Sequence, residues 1–207
     1  GYDHCWVLNN YGDGVRFVAS AYDDSSGRLL EVFSDQPGIQ FYSGNFLDFK
    51  LTGMQGDVMQ ESMGVAKTLA TSLTSNMKMK TFMNSVKTSK LQGIHIHCPE
   101  GAVPKDGPSA GTAITVALYS LINKKKIKNT IAITGEINLQ GQVTAIGGLD
   151  LKILGGIKAG VTEFIYPKEN NKDFTQFMEK FENKSEIQDI TFHEVESIEE
   201  VLKLVFV

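Results

Sequence analysis

The stretch AVPKDGPSAGTAIT, residues 102–115, decides how the rest of the chain is read. Two prolines and two glycines bracket one serine, and a run of small and apolar residues follows. Two readings fit. In the first, Ser109 is the N-cap of a helix over 109–121, since serine is a good cap and proline is common at helix starts. In the second, Ser109 is a nucleophile at a helix N-terminus, where free N–H groups face developing negative charge. The remaining sequence has to separate the two.

The chain has 207 residues, 42% of them hydrophobic, and a formal net charge of -4. That is enough for one sizeable domain or two small ones. No basic block suggests a nucleic-acid partner, and no apolar run reaches the roughly 18 residues of a membrane span. Cys5 and Cys98 lie far apart and match no metal-ligand spacing. No metal and no disulfide framework is expected, and a reducing, intracellular compartment is. The opening GYDHCWVLNN has no signal-peptide layout and reads as a cut inside a larger protein.

Residues 1–48 read as strands, with two apolar runs flanking the hairpin chemistry of DDSSG and another turn at Pro37-Gly38. From about residue 56 the period becomes helical: Val58, Ser62, Val65, Leu69 and Leu73 share a face, and Asp57 is the candidate cap. Residues 74–90, polar and Lys-rich, read as a loose connection with one helical turn. After the strand GIHIHCP and the helix from Ser109, NTIAITGEINLQGQVTAIGG reads as a strand and a hairpin about Gln140-Gly141. LDLKILGGIKAG is then a helix closed by Gly160. Strand VTEFIYP, a helix over 170–181, strand DITFHEVES and helix IEEVLKLVF complete an α+β layer fold.

A serine nucleophile needs a base. His95 and His97 alternate on one strand, without a diagnostic triad spacing. A lysine serves if desolvation favours its free amine. Lys152 lies among Leu149, Leu151, Ile153 and Leu154. It is either that base or a side chain snorkelling to solvent.

From about Lys50 onward, KLTGMQGDVMQES, IHIHCPEGAVPKDGPSAG, AITGEINLQGQVTAIGGLDLKILGGIKAG and FIYPKENNKDF resemble, in order, segments of the proteolytic domain of the Lon proteases. The resemblance implies a Lon-type Ser-Lys protease domain over 49–207, with Ser109 as nucleophile and Lys152 as general base. It further implies that Thr134 orients the lysine amine, that Asp106 gates or pairs with the dyad, and that the amides around Gly107, Ser109 and Ala110 form the oxyanion hole. His97 falls at a family position and is either a structural histidine or part of the site. Asp150-Leu151 departs from the charged pair the family carries before its lysine.

Residues 1–48, through GYDHCWVLNN and SGRLLEVFSDQPGIQFYSGNFLD, resemble galactose mutarotase, the aldose 1-epimerase family. The chain thus looks like a chimera. Asp3 matches a sugar-binding residue, while the epimerase histidine and glutamate have no counterpart, so Asp3 and His4 are relics. Forty-eight residues are too few to bury a core alone, so this segment is expected to dock as antiparallel strands.

The function expected is hydrolysis of peptide bonds in unfolded polypeptides. The alternatives are a catalytically impaired chimera and, last, a carbohydrate-binding relic. No G-x-x-x-x-G-K-[ST] loop occurs, so ATP would need an ATPase domain outside this stretch, and no cofactor is expected here. The resemblance implies a homo-hexamer. Cytoplasm is the expected location, with the mitochondrial matrix second.

Overall fold

The computed structural model describes residues 3–8, 14–23, 27–35, 37–42, 49–53, 55–88, 93–98 and 106–207. The first four residues of the opening stretch, Glu100 and the DDSSG hairpin tip at 24–26 lie outside them, as do the side chains of Asp3, His4 and Cys5. The chain forms two compact units, Gly1–Leu47 and Asp48–Val207.

In the first unit, β1 (Asp3–Val7) pairs antiparallel with β4 (Gly38–Tyr42). β2 (Arg16–Asp23) and β3 (Arg28–Ser34) form an antiparallel hairpin with a bulge between Phe17 and Ala19. Phe17 and Phe33 meet edge to face at 5.7 Å on it, a cross-strand pairing that helps fix the register.

The second unit opens with β5 (Phe49–Gly53), which pairs in parallel with β6 (Ile94–Cys98). The helices α1 (Asp57–Ser72) and α2 (Asn76–Thr88) lie between them in sequence. α3 (Gly111–Asn123) follows the segment that carries Ser109. Next come β7 (Ile131–Ile133), the small antiparallel pair β8 (Glu136–Ile137) and β9 (Val143–Thr144), and α4 (Leu149–Lys158). β10 (Glu163–Pro167), a 3-10 turn at Lys168–Asn170, α5 (Asn171–Phe181), α6 (Ser185–Gln188), β11 (Thr191–Val195) and α7 (Ile198–Leu204) end the chain.

β11, β10 and β7 make a parallel sheet with β10 in the middle. Its side chains alternate between two cores, as a pleated strand requires. Ile165 joins Leu69, Val116, Ile137, Val143, Val195 and Val201, drawn from α1, α3, α7 and the neighbouring strands. Phe164 and Tyr166 join Leu149, Ile153, Phe177 and Ile187 from α4, α5 and α6. A strand covered by helices on both faces reads as the unbroken apolar run FIYP rather than as alternation.

Two expectations change here. Residues 76–88 are a full helix, α2, that buries Phe82 and Val86. The lysines mask Met79, Phe82, Met83 and Val86, which recur at helical spacing. The inward face of α1 is also rotated from the one expected: Ser62, Met63, Ala66, Leu69 and Ala70 are buried, while Val58 is exposed.

Candidate active site

Ser109 does not cap α3. The helix begins at Gly111, its N-cap is Ala110, and no side chain bonds the first turn. The Ser109 hydroxyl instead lies 3.2 Å from Lys152 Nζ, which donates to it. The oxygen that would serve the helix thus faces an amine 43 residues along the chain.

Lys152 reaches the serine because α4 is amphipathic in an unexpected sense. Leu149 and Ile153 are buried in the sheet core, whereas Leu151 is 71% exposed and Lys152 is exposed with it. The apolar neighbours that suggested a desolvated lysine therefore anchor the helix and do not wrap the amine. α4 starts at Gly148, whose φ of +67° is costly for any residue with a Cβ.

Thr134, just after β7, donates its hydroxyl to the Ser109 carbonyl at 3.3 Å. The Gly135 N–H donates to the same carbonyl at 3.0 Å. The threonine thus holds the backbone of the serine, and the bond expected from it to Lys152 is replaced by this one. Asp106 likewise makes no hydrogen bond to Ser109 or Lys152. Its Oδ1 accepts the N–H groups of Met59 and Gly107, each at 2.9 Å. Met59 lies in the first turn of α1, whose N-cap is Gly56 with no side-chain cap of its own. The cap expected from Asp57 comes instead from Asp106.

The same bond occupies the Gly107 N–H, so that amide is not open to an oxyanion. The N–H groups of Ser109 and Ala110 have no partner among the described residues. They point from the N-terminal end of α3, where uncompensated donors and the helix dipole favour negative charge. Gly111 is needed for close packing: a Cβ there would lie 2.5 Å from Ser62 Oγ and 3.0 Å from Ile137 Cγ2.

His97 is not joined to the dyad by any hydrogen bond. Its Nδ1 lies 2.9 Å from Thr52 Oγ1, and His95 Nε2 lies 2.7 Å from the same oxygen. Glu136 is exposed on β8. Among the described residues, no helix is long and apolar enough to cross a membrane.

A serine hydroxyl thus lies within hydrogen-bond reach of a lysine amine, two residues before α3. The chain belongs to the Lon protease (S16) C-terminal proteolytic domain family, whose sequence model matches residues 21–207. It is 46% identical to the Lon protease of Amoebophilus asiaticus over 154 residues, 74% of this chain and 17% of that protein. Against the Lon protease of Treponema pallidum the identity is 41% over 158 residues, 76% of this chain and 17% of that one. Against the Lon protease of Borrelia duttonii it is 43% over 198 residues, 95% of this chain and 21% of that one. The chain therefore spans about a fifth of the length of these relatives. The family match starts at Ala21 within β2, so it takes in the last three residues of β2 and all of β3 as well as the region from residue 49 that carries the motifs.

Proposed function

We propose that this domain is a serine endopeptidase in which Ser109 is the nucleophile and Lys152 the general base. The observation that carries the reading is the 3.2 Å contact between Lys152 Nζ and Ser109 Oγ. As a free amine, Lys152 takes the hydroxyl proton while Oγ bonds to the peptide carbonyl carbon. The oxyanion of the tetrahedral intermediate then faces the Ser109 and Ala110 N–H groups. On collapse of that intermediate the C–N bond breaks, and the lysine ammonium gives its proton to the departing amine. Water, deprotonated by the same amine, hydrolyses the resulting ester and restores the serine. Thr134 and Asp106 act as positioning residues, through the Ser109 carbonyl and the Gly107 amide.

The substrates of this reading are unfolded polypeptides, since an extended chain presents its backbone to the serine without prior unfolding. A homo-hexameric assembly and an intracellular setting go with it by family likeness. ATP, in the same likeness, acts on a different domain. Residues 1–48, by their likeness to galactose mutarotase, add no epimerase chemistry, and galactose titration tests for a retained sugar site. A serine-directed covalent probe followed by mass spectrometry tests the main reading. One adduct on Ser109, absent from Lys152→Arg, is expected. A folded domain that takes no adduct and cleaves no unstructured casein would establish the catalytically impaired alternative.

A further inference from the structure

A groove of about 370 Å³ opens beside the segment that carries Ser109. Helix α1 lines one wall with Val58, Glu61 and Val65, and β8 with its turn lines the other with Glu136, Ile137 and Leu139. Pro108, the residue before Ser109, belongs to the same lining. Contacts on both sides of Ser109 fix the groove to it. The Ser62 hydroxyl donates to the Pro108 carbonyl at 3.3 Å. Gly111 packs so closely that a Cβ there would lie 2.5 Å from Ser62 Oγ and 3.0 Å from Ile137 Cγ2. Pro108 is one Cα step of about 3.8 Å from Ser109, and an extended peptide advances about 3.3 Å per residue. A side chain one or two residues from a bond held at Ser109 is therefore within reach of the groove.

The walls carry two chemistries. Val58, Val65, Pro108, Ile137 and Leu139 are apolar, and Val58 and Leu139 are exposed, so an aliphatic group that covers them gains by removing that surface from water. Glu61 and Glu136, one on each wall, are exposed as well. Neither has an ion pair among the described residues, and no lysine, arginine or histidine among those residues lines the groove. A purely aliphatic side chain matches the walls and leaves the carboxylates without a partner. An acidic side chain is repelled by both. Lysine and arginine carry a cationic head on an apolar stem, and so match walls and charges together.

We propose, on the basis of the peptidase reading of Ser109, that this groove selects substrates with a lysine or arginine within two residues of the scissile bond, and that Glu61 and Glu136 set the preference. Binding is measured by fluorescence anisotropy on the whole chain carrying Ser109→Ala, so that nothing is cut. The probes are fluorescein-labelled octapeptides of alanine and serine with one central lysine, norleucine or glutamate. The lysine peptide should bind about fivefold more tightly than the norleucine peptide, as two exposed ion pairs provide, and the glutamate peptide should bind most weakly. Glu61→Gln/Glu136→Gln should bring the lysine and norleucine peptides to equal affinity. Glu61→Lys/Glu136→Lys should favour glutamate over lysine. Circular dichroism checks that each variant is folded, and independently of any variant about 0.5 M sodium chloride should erase the preference, since it screens exposed pairs. Equal affinity for the lysine and norleucine peptides, a lysine preference that survives in folded Glu61→Gln/Glu136→Gln, or no binding of any peptide at millimolar concentration would overturn the proposal. Mass spectrometry of casein cut by the native chain reports on the two readings separately. Lysine or arginine should be enriched within two residues of the cuts, and cuts without that enrichment would sink the groove assignment alone. A chain that prefers the lysine peptide in binding yet cuts no casein would sink the peptidase reading instead.

Discussion

The Asp106 carboxylate accepts the backbone N–H of Met59, 47 residues earlier in the chain, at 2.9 Å. A loop residue three places before Ser109 thereby supplies the cap that α1 lacks locally. The contact is close enough that a Cβ on Gly56 would sit 2.4 Å from Asp106 Cγ. Asp106→Ala should cost about 0.5–2 kcal/mol, the usual value of a lost cap, read as a lower urea midpoint. Gly56→Ala should also destabilise, and by less in the Asp106→Ala background, because the carboxylate it strikes has gone and only the Cβ at 2.8 Å remains. Additive effects in that double-mutant cycle would mean the two residues do not share one contact.

Ser109→Ala should abolish hydrolysis of unstructured casein. Because the hydroxyl does not cap α3 and its bond is to an exposed lysine, the stability change should stay within about 1 kcal/mol, the usual net value of one hydrogen bond. Thermal unfolding and a casein assay on the same preparation check both halves. Residual cleavage by the pure variant would move the nucleophile elsewhere.

Lys152→Arg should be inactive with an unchanged fold. Arginine keeps the charge and the length but does not give up its proton, and the exposed position of Lys152 tolerates it. In the native domain, acylation should quicken as pH rises, since only the free amine can take the Ser109 proton. Stopped-flow acylation by an activated ester, followed across pH, reads this directly. Native-like rates in Lys152→Arg would rule the lysine out as base.

Tyr166 is buried against Phe174, with ring centroids 4.6 Å apart. Burial first, and then the Glu194 carboxylate, push its phenol up to about 12 from an ordinary 10.0. The folded state thus holds the proton more tightly than the unfolded one. That contribution to stability is complete below pH 10 and is lost as pH rises toward 12. Ultraviolet titration should show one phenol ionising late, and Tyr166→Phe should remove that step and lessen the fall in stability over the same window.

The sequence by itself determined the family and singled out Ser109 and Lys152, which the structure brings to 3.2 Å of one another. Local chemistry makes them legible: glycine and proline around Ser109 mark a broken backbone before an apolar run, and the lysine segment follows in fixed order. Helices α3 and α4 and the buried strand β10 were legible for the same reason, since each writes its period into consecutive residues. The partners of the supporting residues were decided only by tertiary structure. Asp106 had no sequence sign of capping a helix 47 residues away, nor Thr134 of holding the Ser109 carbonyl rather than the lysine. The environment of Lys152 stayed open in the sequence because apolar neighbours along a helix face different ways, and in the fold Leu149 and Ile153 turn into the core while the lysine turns out. A hydrogen bond depends on where two elements meet in space, and that meeting is set by packing of the whole sheet and its helices. No window of sequence contains it.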